Sequence, residues 1–425
     1  MKAVLKEQDR HFELRPWQQC MVFLLGCAIL VTRRPDAVFH AQFWGEDGAI
    51  FFADAYNLGW WSALFRTYAG YFHAVPRLGA SLALLVPLSL APLMLNLIAI
   101  AFQALPVNLL LSSRSSAWGS LRNRALLACI YLALPNCYEL SATITNSQWL
   151  LALSAYLLLV MSVPRGMAGQ LFDAFVLLLC GLTGPFSIFL LPIALFLAWR
   201  LRDRWRWVRA GAVAAPCLVQ LWGLLNGGFG VRPHYALGAS PAMFTRILAG
   251  DVFFGAFFGS NGLGAHSSLW ALIFDVCIAV AGTAIVGFCL VKSSAEMKLF
   301  LAFSGMIFAA SLFSPIIAPS AGVTAWEQLA RGGASRYWFF PTLAFAWSIV
   351  WCFQSRYPQL KELAGYLLLL MCIGIIRDWR SPAFQDLHYA EYAKRLESAS
   401  VGTSVTIPLN PAGFEMQLFK RTQVP

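Results

Sequence analysis

Charge is scarce in this chain. Only 12% of its 425 residues are Asp, Glu, Lys or Arg, against about a quarter in a soluble domain. Instead, 59% are hydrophobic and the mean hydropathy is +0.64, which excludes a water-soluble globular protein. The ten cysteines are scattered singly, with no CxxC pair and no histidine at ligand spacing. Neither a disulfide framework nor a structural zinc site is expected, and the thiols read as small apolar packing residues. A Walker-type phosphate loop and a metalloprotease motif are also missing, so ATP-driven transport and zinc proteolysis have no sequence support. The net charge of +11 does not indicate nucleic acid, because the arginines concentrate in short runs between apolar segments, where cytoplasmic loops place them.

What the chain does have is apolar runs of spanning length. A helical crossing needs about 17–25 mostly apolar residues, and such runs fill most of the sequence. The expected fold is therefore all-α, a polytopic transmembrane helix bundle of about 10–12 spans. Spans are drawn at Trp17 to Thr32, within Leu78 to Leu111, and at Ala125 to Leu140, Trp149 to Val163, Leu171 to Leu182, Phe186 to Trp199 and Ala210 to Leu225. Four more follow at Leu269 to Val291, Leu299 to Phe313, Tyr337 to Phe353 and Leu363 to Ile376. The first lacks a small-residue cleavage site and is expected to stay as an anchor. Breaks are expected at Pro135, Gly184-Pro185 and Pro192, and interrupted helices at membrane depth line protein or a wet cavity.

Arg200 to Arg209 holds five arginines in ten residues and sets the cytoplasmic side. Counting from it places Arg114, Arg122, Arg124, Lys292, Lys298, Arg356 and Lys361 on the same side. Residues 46–47, 135–148, 183–186, 227–268, 314–336 and the tail then share the other. With the basic arm of Lys2, Lys6, Arg10 and Arg15 inside, Leu78 to Leu111 must cross an odd number of times, although its length suits a hairpin broken near Pro87 to Pro92. Arg33-Arg34 blurs the orientation further. Two parts are expected, a catalytic bundle over 1–376 and a small extracytoplasmic tail over 377–425. In the tail, Tyr389, Tyr392, Ala393 and Leu396 recur at helical spacing. Ser404 to Leu409 and Phe414 to Leu418, around Asn410-Pro411-Ala412-Gly413, make a hairpin.

Four constellations carry chemistry. The adjacent carboxylates Glu46 and Asp47 lie just past the first span, in Phe43-Trp44-Gly45-Glu46-Asp47-Gly48. Ionised groups beside hydrocarbon are costly and so point to function; a carboxylate there suits proton removal from a sugar hydroxyl. The aromatic-rich Trp60 to Phe72 stretch fits helices lying in the headgroup region. It leads into His73 and Arg77, an imidazole and a guanidinium suited to a phosphate. Glu139, Asn146, Gln148 and Trp149 supply amide, carboxylate and aromatic partners of the kind a sugar needs. Arg331, Arg336 and Tyr337 flank Gly332-Gly333, where side-chain and backbone donors suit a lipid-linked phosphate. Each has a plainer use: hydration of a surface turn for Glu46 and Asp47, structural hydrogen bonding for His73 and snorkelling for Arg77, capping or interhelical hydrogen bonding for Asn146 and Gln148, an interfacial belt for Arg331 to Trp338.

With its acidic pair in the first outer loop, the chain resembles the GT-C class of polytopic glycosyltransferases, in particular bacterial enzymes that decorate O-antigen or other surface glycans. The resemblance runs over nearly the whole chain, on short motifs. Glu46-Asp47 takes the acidic catalytic position, Trp60 to Phe72 looks like the interfacial element, and Arg336 is similar to a later phosphate-binding arginine. The sequence departs from larger members in lacking a sizeable soluble carboxy-terminal domain, which puts a processive or protein-acceptor role in question. The resemblance implies transfer of a hexose from a polyprenyl-phosphate donor to a hydroxyl of a glycan acceptor, with inversion. It implies a multi-pass protein of the bacterial inner membrane with its site on the periplasmic side. Asp47 or Glu46 would be the general base, with arginines offsetting charge on the departing phosphate. No nucleotide or other cofactor is required; a divalent cation stays open, since the two carboxylates offer oxygen ligands. The competing classes are a transporter or flippase for lipid-linked sugars and a non-catalytic subunit of a glycan-export complex.

Overall fold

The computed structural model describes residues 14–228, 230, 235–260 and 269–421. Lys2, Lys6 and Arg10 of the basic arm lie outside the described residues, as do 229, 231–234 and 261–268 of the long loop. Eleven helices run between two ends of the bundle: α1 (Pro16–Arg33), α2 (Ala91–Leu111), α3 (Leu121–Ala133), α4 (Ser147–Val160), α5 (Met167–Gly181), α6 (Phe186–Leu201), α7 (Arg204–Gly223), α8 (Leu269–Lys292), α9 (Ala295–Phe313), α10 (Phe339–Phe353) and α11 (Pro358–Arg377). Among the described residues, six helices are long and apolar enough to cross a membrane by length and composition. The chain is a multi-pass membrane protein.

Helix α4 is the axis. Every residue from Ser147 to Val160 is buried, the state of a helix that is hydrophobic all round. Around it the core is aromatic: Tyr156 stacks on Phe303 at 5.4 Å, and Phe300 meets Trp347 at 4.6 Å. One end of the bundle is basic and tightly turned. Ser120, Asp203 and Ser294 cap α3, α7 and α9 by accepting from backbone N–H groups of the first turn, satisfying donors that helix starts leave open. There Asp173 receives Arg114 at 2.6 Å and Arg209 at 2.5 Å, so each buried charge is paired.

The opposite end collects the segments on which the candidate site residues lie. Its topology bears on the odd crossing. Residues Ala74–Ala83 form a helix of only ten residues, about 15 Å long, which cannot traverse about 30 Å of hydrocarbon. The chain then breaks, and Leu88–Leu111, which includes α2, is the part of this stretch long and apolar enough to cross. At its start Leu88 accepts from the Tyr389 hydroxyl at 2.8 Å and Asn96 donates to the Ala37 carbonyl at 2.9 Å. Arg33 and Arg34 are buried at this end and act as staples rather than orientation signals. Arg33 donates to the carbonyls of Leu132 and Leu134 at the end of α3, and to those of Asp378 and Trp379 beyond α11. Arg34 donates to those of Ser141 and Pro382.

Two expected boundaries shift. The span drawn to Leu140 ends at Ala133, because the residue before Pro135 is driven out of helical geometry. Pro192 does not break α6, which continues through it. Pro241–Phe258 is of spanning length, yet both its flanks are fastened at the site end. Ala236 and Leu237 accept from the N–H groups of Ala325 and Trp326, and the Ser260 N–H donates to Asp378 at 2.7 Å. The segment therefore lies across that end. After α1 come short helices at Ala53–Leu58 and Trp60–Leu64, with Trp60, Trp61 and Phe65 exposed as interfacial helices present them. The tail is helix α12 (Tyr389–Ser398) and an antiparallel hairpin of β1 (Ser404–Leu409) and β2 (Phe414–Phe419). It packs directly on the acidic loop.

Candidate functional site

The acidic loop is held from two sides. Above it sits the hairpin: Trp44 bridges Asn410, Asn57 donates to the Gln417 carbonyl at 2.8 Å and accepts from the Phe419 N–H at 3.0 Å. A Cβ on Gly45 would fall 2.7 Å from the Phe414 ring, and one on Gly48 would fall 2.8 Å from Leu409. The glycines are therefore demanded by close approach of the tail, not by flexibility. Below the loop lies Asp47, which is fully buried. Its carboxylate accepts from the Ile144 N–H at 3.1 Å, the Thr145 N–H at 2.9 Å and the Thr145 hydroxyl.

Glu46, its neighbour, turns the other way. Successive helical residues diverge by about 100°, so one carboxylate enters the protein while the other meets the cavity. Glu46 is half-buried and, among the described residues, its carboxylate has no hydrogen-bond or ion-pair partner. It lines a cavity of about 320 Å³, within the usual size range of small-molecule sites. Its lining mixes polar residues, Glu46, Tyr68, His73, Thr145, Asn146, Gln148 and Arg336, with apolar ones, Phe186 and Phe189 of α6, Leu224, and Ile307, Ala310 and Phe313 of α9.

The 68–73 segment enters through a tight turn. Tyr68 and Tyr71 exchange backbone hydrogen bonds at 3.0 and 3.2 Å, with φ of 50° at Ala69 and 91° at Gly70, the positive pair of a type I′ turn. Gln220 of α7 locks the segment by accepting from the Phe72 N–H at 2.9 Å and donating to the carbonyls of Phe72 and Gly181. His73 is walled by the rings of Phe51, Tyr68 and Tyr71 at 5.2, 5.7 and 4.6 Å. Burial pushes its pKa down to about 3, so the imidazole stays neutral. Burial acts oppositely on Asp47, pushing it up to about 7 against the hydrogen bonds from Thr145.

The remaining sequence candidates separate clearly. Asn146, Gln148, Trp149 and Tyr337 line the cavity with Glu46, His73 and Arg336. Gln148 sits against Gly184, where φ is 86° and a Cβ would fall 2.0 Å from its Oε1, so the break after α5 has to be glycine. Glu139 lies behind Arg336, accepting from its Nη1 at 2.7 Å, while Nη2 donates to the Ile316 carbonyl at 2.6 Å. The guanidinium also lies 4.8 Å from the Tyr337 ring centre. It is thus fixed in place with donors to spare, since Arg carries five N–H groups.

Arg77 does not reach the cavity. It is buried against the Phe51 ring and paired with Asp54 at 2.6 Å, so it braces the acidic loop from behind. Arg331 is exposed and does not line the cavity. Both Asp47 oxygens accept hydrogen bonds from residues 144–145. Among the described residues, no three His, Cys, Asp or Glu side chains come together as a metal-binding group. Sequence reasoning missed Tyr68, Tyr71, Trp44, Ser311 and Ser314 as wall residues; an aromatic on each side of Ala69-Gly70 was the available signal. In comparisons with known proteins, no family model matches the chain and no curated sequence matches it.

Proposed function

We propose that this protein is a membrane glycosyltransferase that moves a hexose from a polyprenyl-phosphate donor to a hydroxyl of a surface glycan. The observation that carries the reading is Glu46, a carboxylate with no hydrogen-bond or ion-pair partner among the described residues, lining one cavity with Arg336. The mixed lining supports an amphipathic donor: its chain would lie along the apolar residues of α6 and α9, and its sugar would meet the amides of Asn146 and Gln148 and the Trp149 ring. Glu46 takes the acceptor proton while the acceptor oxygen attacks the anomeric carbon. The bond to phosphate breaks with its electron pair on the phosphate oxygen, next to Arg336, and a single displacement inverts the centre. Asp47 holds Thr145 and the turn that presents Asn146 and Gln148.

The arginines of the basic end support a cytoplasmic position for that end, and with it the reading of the cavity as open to the outer face of a bacterial inner membrane. A flippase reading is disfavoured by the cavity's place near one end of the bundle rather than at mid-depth. The test is purified protein supplied with polyprenyl-phosphate hexoses and a glycan acceptor. Transfer is expected, and Glu46→Gln is expected to lower kcat by about 10²-fold or more with unchanged thermal unfolding. No transfer from any hexose donor, or full activity in the Glu46→Gln protein, overturns the reading.

A further inference from the structure

We propose that Tyr68 is a further catalytic residue, whose hydroxyl donates a hydrogen bond to the phosphate oxygen that leaves the sugar. This rests on the transferase reading. Tyr68 lines the cavity with Glu46 and Arg336 and lies within electrostatic range of both. Its ring is held edge-on to Phe51 at 5.8 Å, and its backbone closes the turn with Tyr71, so the phenol is presented from a rigid support. Among the described residues, the hydroxyl has no hydrogen-bond partner. Burial and the nearby Glu46 carboxylate raise its pKa, which keeps the phenol protonated and therefore a donor.

The need for a second donor follows from the charges. Arg336 is already paired with Glu139 at 2.7 Å, and Glu46 adds a further negative charge to the same cavity, so one arginine meets two carboxylates before any phosphate arrives. His73 is walled by the rings of Phe51, Tyr68 and Tyr71, whereas the Tyr68 hydroxyl is a free donor within electrostatic range of both base and arginine. In the displacement, the acceptor proton passes to Glu46, the new bond forms at the anomeric carbon, and the electron pair of the broken bond stays on phosphate. Tyr68 keeps its proton throughout and only donates a hydrogen bond to the developing charge.

Tyr68→Phe retains the ring and its packing, so the test isolates the hydroxyl. With a polyprenyl-phosphate hexose as donor, kcat is expected to fall about 10²-fold, with the donor KM within about threefold and the melting temperature unchanged. An unaffected kcat, or a change confined to KM, overturns the assignment while leaving the transferase reading standing. Absence of transfer by the unsubstituted protein defeats both.

Discussion

Asp47 accepts hydrogen bonds from both the backbone N–H and the hydroxyl of Thr145, 98 residues away in sequence. This ties the first loop of the chain to the start of the central helix. Asp47→Ala would leave the Ile144 and Thr145 donors unpaired in a buried site, at about 1–3 kcal/mol for each lost partner. A total loss of about 2–4 kcal/mol is expected, read as a lower unfolding temperature in detergent. Glu46→Ala, on an open wall, should leave unfolding nearly unchanged.

The pH dependence of stability should carry the signature of Asp47. Its folded-state pKa is pushed up to about 7 from 3.8, so the folded protein holds a proton that the unfolded chain has released. Its contribution is fully present below about pH 4 and lost as pH rises through about 7, with a slope of up to about 1.4 kcal/mol per pH unit. Melting temperatures of the native protein relative to Asp47→Asn should therefore converge downward across that window and run parallel above it. A constant difference from pH 4.5 to 8 would show that the carboxyl does not titrate there.

The two loop glycines should respond unequally. At Gly48 an added methyl meets Leu409, which is 2% exposed, and Phe43 as well; the cost is about 1–3 kcal/mol of overpacking. At Gly45 it meets Phe414, which is 37% exposed and free to swing outward, so Gly45→Ala should cost less. Equal effects in thermal unfolding would argue against the close docking of the tail.

A single crossing by α2 is open to labelling. In a variant stripped of its ten native cysteines, Trp61→Cys and Arg122→Cys place thiols at exposed positions on opposite ends. A membrane-impermeant maleimide added from one side should modify one and spare the other. Reaction of both from the same side would mean that α2 does not cross.

Much of this architecture was legible because hydrophobicity is a one-dimensional signal. Apolar runs marked the spans, and the alternation around Asn410 to Gly413 marked the hairpin. Identical residue types with different surroundings were not legible. Arg33 and Arg34 look like any juxtamembrane basic pair, yet they satisfy carbonyls at the ends of α3 and α11. Arg77 and Arg336 are equally plausible phosphate ligands on paper, and the position of Asp54 removes one of them from the cavity. Glu46 and Asp47 are adjacent, so nothing short of tertiary structure tells which one turns inward. The expectation of a break at Pro192 failed because a helix tolerates proline where its neighbours re-satisfy the freed carbonyl.

The seating of the hairpin on the acidic loop sets an order on biogenesis. Trp44, Gly45 and Gly48 emerge early from the ribosome, whereas Leu409, Asn410 and Phe414, which cover them, emerge only after every helix between has been threaded into the bilayer. A nascent chain therefore carries its key carboxylates uncapped for most of its synthesis. The loop reaches its final shape only when the last strands have come to the same end of the bundle.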